Sequence, residues 1–92
     1  VGDGRFAYFD YISRLYHARW LYLGAIDGQS PFLNITIKDS GIRNMFHCLV
    51  VGVEKEDGNL LSPEANMLLE AGDVVWVVGE KEDVYHLVNN ES

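Results

Sequence analysis

Apolar and polar positions alternate along this chain in two distinct rhythms. Residues 3–20, DGRFAYFDYISRLYHARW, follow a helical period: Asp10, Ser13, Arg14 and His17 share one face, and Tyr8, Ile12, Leu15 and Tyr16 share the other. Asp10 and Arg14 have the i,i+4 spacing of a helical ion pair. The uninterrupted apolar run Trp20–Ile26 is predicted as a strand that ends at an Asp27-Gly28 turn. Ser30-Pro31 then holds the chain extended. Thr36 and Asp39 form a capping pair that opens a short helix. Its apolar members are Ile42, Met45 and Phe46, and Gly41 weakens it. His47–Val53 (HCLVVGV) predicts a strand, Asp57-Gly58 a two-residue hairpin turn, and Leu60–Ser62 a short returning strand that Pro63 ends.

Val74–Val78, VVWVV, is the densest run of β-formers, with Gly72-Asp73 as the turn before it. Both its faces are apolar, which places it centrally in a sheet. A last helix is predicted from about Glu80 to Asn89. Glu82 and Asp83 sit where its N-terminus favours negative charge, and Val84, Leu87 and Val88 lie on one face. The order predicts an α+β domain: a strand, a short helix, three largely antiparallel strands and a terminal helix, preceded by the amphipathic helix. Ile42, Leu49, Val51, Val53, Leu60, Val75, Val77 and Leu87 are the predicted core.

Composition narrows the function classes. Ninety-two residues, 48% of them hydrophobic, make one small folded domain. The net charge of −7 is uneven. Residues 1–20 carry three arginines against two aspartates, +1, whereas residues 21–92 carry four basic and twelve acidic side chains, −8. Such a body disfavours nucleic acid, which needs clustered Lys and Arg. Cys48 is the only cysteine, so there is no internal disulfide and no zinc-binding Cys pair; it reads as a small buried hydrophobe. The run Trp20–Ile26 falls far short of the roughly 20 residues of a membrane span. The first residue is not methionine, which is read here as a piece of a longer protein.

Tests for chemistry return little. His17, His47 and His86 fall on three different predicted elements with no ligand spacing. The acids Glu54, Glu56, Asp57 and Glu64 invite a calcium loop. Setting Gly58 at its invariant glycine puts Val53 and Lys55 at the first two carboxylate positions, so the loop fails. Neither a nucleophile elbow nor a phosphate-cradling glycine pattern is present. Asn34-Ile35-Thr36 and Asn90-Glu91-Ser92 are sequons read as chance. The expectation is a protein without catalytic residues, metal or bound cofactor, and not an enzyme.

Ser62–Leu87 carries a more specific order: a proline after a short strand, apolar residues, Gly-Asp, a hydrophobic strand ending in Gly, and a short helix. Pro63, Leu68, Leu69, Gly72, Asp73, Val77, Val78, Gly79 and Leu87 fit it, and in this the stretch resembles the closing half of a TrkA-C domain, the RCK C-terminal lobe. The resemblance extends over roughly residues 24–88, where Ser30, Pro31, Thr36, Ile37 and Arg43 also match. Asn34 stands where that family usually has glycine, and asparagine also tolerates a left-handed backbone. Residues 1–20 lie outside the resemblance and are read as a linker or dimer-arm helix ahead of a regulatory domain at 21–92.

The resemblance implies a homodimer with a small-molecule site in or near its interface. Some members bind cyclic di-AMP through an arginine after the first helix and an asparagine at the start of the next strand. Arg43 matches the arginine, and Leu49 stands at the asparagine position. Asn34, Ile35, Arg43, Leu49 and Pro63 are the ligand-binding residues that the resemblance marks. It further implies a regulatory domain on the cytoplasmic face of the plasma membrane, attached to the transport domain of its own parent chain. A potassium or sodium/proton antiporter is preferred to a channel-type potassium uptake system, since the aromatic helix stands where uptake subunits usually carry a nucleotide-binding lobe. The rival reading is a structural dimerisation module without ligand.

Overall fold

The computed structural model describes residues 3–89. Its elements are α1 (Asp3–Leu15), β1 (Trp20–Ala25), α2 (Ile37–Ser40), β2 (Leu49–Glu54), β3 (Leu60–Leu61), β4 (Val74–Gly79) and α3 (Lys81–Val88). The strands form one sheet in the order β1-β4-β2-β3, with every pair antiparallel. The fold class is α+β, as the pattern predicts.

β4 is interior because its side chains are apolar on both faces. Val75 and Val77 enter a core beneath α3 and the loops around α2, while Trp76 and Val78 enter a second core beneath α1. The sheet is therefore the middle of three layers. α1 docks through Ile12, which is buried, flanked by half-buried Tyr8 and Tyr16 at the i±4 spacing. Burying Ile12 contributes about 2 kcal/mol. Leu15, predicted for that face, is exposed because it lies about 60° from Ile12 around the helix, on the flank of the stripe. The helix also ends at Leu15, not at residue 20. Tyr16 N–H still reaches the carbonyl of Ile12, and Arg19 N–H turns back to Tyr16, so that Trp20 can enter the sheet opposite Gly79.

The short helix differs from the pattern. Thr36 caps it, its Oγ1 accepting from Asp39 N–H at 3.1 Å, but Gly41 at φ +78° ends it after four residues. Ile42, Met45 and Phe46 thus sit in the following turn, where Ile42 is buried and Met45 exposed. The hairpin is not a two-residue turn either. Lys55 N–H bonds to Asn59 O and Gly58 N–H to Lys55 O, giving a three-residue loop with Gly58 left-handed at φ +94°. β2 starts at Leu49 rather than His47 and bulges between Val50 and Gly52.

Gly72 and Asp73 tie the sheet ends together. Gly72 N–H bonds to Ile26 O and Ile26 N–H to Asp73 O, both at 2.8 Å. The Asp73 carboxylate, 2% exposed, accepts from Glu70 N–H at 2.9 Å and from Lys55 Nζ at 2.8 and 3.0 Å. Among the predicted core residues, Leu60 is only half-buried and Leu49 is 40% exposed. Leu49 begins β2 where β3 does not reach, so nothing covers its outer side. Trp76 and Leu69 are fully buried and were not on the predicted list. No helix among the described residues is long and apolar enough to cross a membrane.

Candidate functional site

β3 is only two residues long and pairs only with Val53 and Glu54. Proline at position 63 has no N–H for the ladder, and the chain swings away instead. Lys38 N–H bonds to Ala65 O and Ile37 N–H to Met67 O, both at 2.9 Å, which straps residues 65–67 to α2. The first half of β2 is left without a neighbour on that side. The gap is a cavity of about 410 Å³, lined by Ile37, Lys38, Arg43, Asn44, Leu49, Val50, Pro63, Glu64 and Ala65.

Arg43 is held at its rim by the turn after α2. Buried Ile42 anchors that turn, and Met45 and Phe46 N–H groups both bond to the carbonyl of Gly41, at 2.7 and 3.1 Å. Lys38 and Arg43 form no salt bridge to a carboxylate among the described residues. Two cations therefore meet one acid, Glu64, in a body that is strongly acidic elsewhere. Guanidinium and ammonium groups suit phosphate, and Ile37, Leu49, Val50 and Pro63 offer apolar walls for a flat ring.

Residues 25–90 match the TrkA-C domain family. This chain belongs to that family.

Potassium channel protein 1 of Methanocaldococcus jannaschii is 33% identical over 54 residues. That match covers 59% of this chain and only 16% of the relative. Among solved structures, the RCK C domain of the potassium transport protein KtrA, in complex with cyclic diadenosine monophosphate, aligns with a TM-score of 0.71. It is 19% identical and covers 91% of this chain and 95% of its own. The RCK_C domain dimer of BusR from S. agalactiae, in complex with c-di-AMP, aligns at 0.60 with 24% identity, covering 79% and 86%. The GsuK channel bound to NAD aligns at 0.67 with 19% identity, covering 90% of this chain and 15% of the channel. At these identities the structural likeness establishes the fold.

In this TrkA-C domain the residues marked from the sequence fall into two groups. Arg43, Leu49 and Pro63 line the cavity beside β2. Asn34 and Ile35 do not. Asn34 N–H bonds to Leu69 O and Leu69 N–H to Ile35 O, so their backbone pairs with the segment after the cavity instead. Lys38, Asn44 and Glu64 were not marked. The readable signal was charge, since Lys38 and Arg43 are two of the four basic residues in 21–92. Cys48 is buried, with its thiol pushed up by that burial and then by Asp83, and acts as an apolar filler against Gly79.

Proposed function

We propose that this TrkA-C domain is a ligand-sensing, dimerising regulatory module of a monovalent cation transport protein, acting at the cytoplasmic face of the membrane. The ligand is a cyclic dinucleotide of the cyclic di-AMP type. The observation that carries this reading is the convergence of Arg43 and Lys38 with Leu49 and Pro63 on one cavity. Phosphates meet the two cations, and the rings lie against Ile37, Leu49 and Pro63. Two structural neighbours, KtrA and BusR, were solved with that dinucleotide, which supports the choice. The domain works by binding rather than catalysis. A ligand that prefers one dimer arrangement shifts the population, and the transport domain responds.

The preferred parent is a potassium or sodium/proton antiporter, with α1 as a rigid lever between sheet and membrane segment. A potassium channel is the rival parent, and the M. jannaschii relative speaks for it. Calorimetry with cyclic di-AMP, at protein concentrations of about 100 μM, tests the ligand. Arg43→Ala and Lys38→Ala are each expected to weaken binding about tenfold. No heat from the unsubstituted chain sinks the cyclic-dinucleotide reading. A dimer whose population and arrangement no ligand alters favours the structural module, for which apolar Leu49 at the cavity rim is the specific argument. For the parent, ligand-dependent proton exchange in vesicles marks the antiporter, and a ligand-dependent potassium current marks the channel.

A further inference from the structure

A groove of about 630 Å³ lies where α3 meets β1, the edge strand of the sheet. Trp20 and Tyr22 of β1 and Val84, Tyr85 and Val88 of α3 give it apolar walls. Three of these are well exposed: Trp20 at 54%, Tyr85 at 64% and Val88 at 47%. The strand beside the groove is open. β1 runs for six residues with no proline, no charged side chain and an unbroken register against β4, its one neighbour. Ile26 N–H bonds to Asp73 O and Gly72 N–H to Ile26 O, so the backbone of Ile26 faces the β4 side. Counting back in twos, Tyr22 and Gly24 face the same way, and Leu21, Leu23 and Ala25 turn N–H and C=O outward. None of those outward groups has a hydrogen-bond partner among the described residues. The opposite edge differs, since β3 has two residues and Pro63 follows closely, the devices that keep an edge from pairing.

The groove and the open edge serve one kind of occupant. Tyr22 joins the core beneath α3, whereas Leu21 and Leu23 join the core beneath α1. A strand laid against β1 extends the sheet, and every second side chain of it falls on the α3 side, in the groove. The ladder then holds the backbone and the groove selects side chains. Charge decides which segment suits. Glu80, Glu82 and Asp83 open α3 and Asp27 follows β1, against Arg19 and Lys81. Arg19 is held by Glu80 at 3.0 Å, and Lys81 lies 5.7 Å over the Trp20 ring. Glu82 lines the groove, is exposed and makes no salt bridge among the described residues. We propose that this edge takes up an extended segment of a partner polypeptide by strand addition, antiparallel to β1 as every pair in this sheet is. The segment is uncharged and β-forming over the length of β1, carries a bulky apolar side chain for the groove, and has lysine or arginine at its flanks. The acidic body draws such flanks in, whereas a second copy brings its own charge of −7 and is repelled. β4 and β2 separate this edge from the cavity at β2–β3, so segment and small ligand do not compete.

Fluorescence anisotropy on the full chain, up to about 500 μM, tests this with a labelled synthetic peptide, Lys-Thr-Val-Thr-Phe-Thr-Val-Thr-Lys. Saturable binding is expected, with slowed amide hydrogen exchange at Leu21, Leu23 and Ala25. Glutamate in place of both peptide lysines is expected to weaken binding about fivefold, and Glu82→Lys to narrow that difference. Ala25→Pro removes an outward N–H at an exposed position and leaves the bonds to β4 in place. It is expected to weaken binding about tenfold, with circular dichroism checking the fold. Tyr85→Ala changes an exposed groove residue, is expected to weaken binding as well, and decides the matter if Ala25→Pro does not fold. No saturable binding, equal affinity for the two peptides, binding without protection of those amides, or binding that Tyr85→Ala leaves unchanged overturns the proposal. So does self-association that Ala25→Pro abolishes and the peptide does not displace, because a second copy then holds the edge.

Discussion

The Tyr8 hydroxyl donates a hydrogen bond to the backbone carbonyl of Val51. The bulge between Val50 and Gly52 takes Val51 out of the β4 register, and its side chain is buried on the α1 side. Without the Tyr8 hydroxyl, that carbonyl loses this donor. Gly52 lets the ring come close, since an added Cβ would stand 3.3 Å from the Tyr8 ring. The same ring lies 5.5 Å from that of Trp76, and Arg5 joins Glu54 at 3.1 Å beside it. α1 is thus keyed to β2, the strand whose Leu49 and Val50 line the cavity. Tyr8→Phe is expected to cost about 1 kcal/mol in urea unfolding, with the aromatic packing kept. Stability equal to that of the unsubstituted chain would mean that water serves the carbonyl equally well.

Lys55 predicts a pH dependence. Its hydrogen bond to the Asp73 carboxylate raises the lysine above its ordinary value of 10.5; partial burial opposes this, and Glu70 adds to it. A lysine raised on folding contributes stability that is full below its unfolded value and is lost as pH rises through the folded one. Tyr8 acts in the same direction, since burial, then Tyr11 and Tyr16, raise the phenol above 10.0. Stability should therefore fall above about pH 10. Lys55→Met leaves buried Asp73 without its cation and should cost about 2 kcal/mol near neutrality. It should also flatten the alkaline fall, and an unchanged slope above pH 10 would remove Lys55 as its source.

Some of this architecture is legible along the chain because the signals are local. The apolar density of Val74–Val78 places β4 inside the sheet, and Thr36 with Asp39 marks a helix start. Asn34 does adopt the left-handed backbone expected where relatives carry glycine, at φ +63°. What is not legible depends on partners far along the sequence. Gly41 reads as a weak helix interior until its φ of +78° shows a C-cap. Leu49 looks like core because it is apolar and in a strand, yet it is exposed because β3 is too short to flank it. Glu64 and Ala65 join Lys38 and Arg43 through the strap between α2 and residues 65–67, which no spacing reveals. Trp76 reads as one more β-former, and only the docking of α1 explains its complete burial.

Gly79 ends β4 against a packed neighbour. A Cβ there would stand 2.9 Å from Cys48 Sγ and 3.3 Å from Val84 Cγ2, and both residues are buried. Neither can move out into solvent, so Gly79→Ala should destabilise by about 1–3 kcal/mol. Cys48→Ala removes the closer atom. In the double variant the two costs should fall short of additivity by at least 0.5 kcal/mol, roughly the threshold for residues in contact. Strict additivity in thermal or urea unfolding would show that the Cys48 sulfur is not what the added methyl meets.

Leu49 offers a gain of function under the proposed reading. It lines the cavity with Arg43 and Pro63, and it is 40% exposed, so replacing it removes little buried surface. Its position is the one where the resemblance to cyclic di-AMP-binding members calls for asparagine. An amide there supplies both a donor and an acceptor at the cavity rim, where leucine supplies neither. Leu49→Asn is therefore expected to tighten cyclic di-AMP binding about tenfold, the worth of one good hydrogen bond of roughly 1.4 kcal/mol. Calorimetry on the unsubstituted and Leu49→Asn chains measures it. The effect should vanish when Arg43→Ala is added, because a ligand no longer anchored by its phosphate cannot hold its ring at position 49. Tightening that survives the loss of Arg43 would place the ligand elsewhere, and no tightening at all would separate position 49 from recognition.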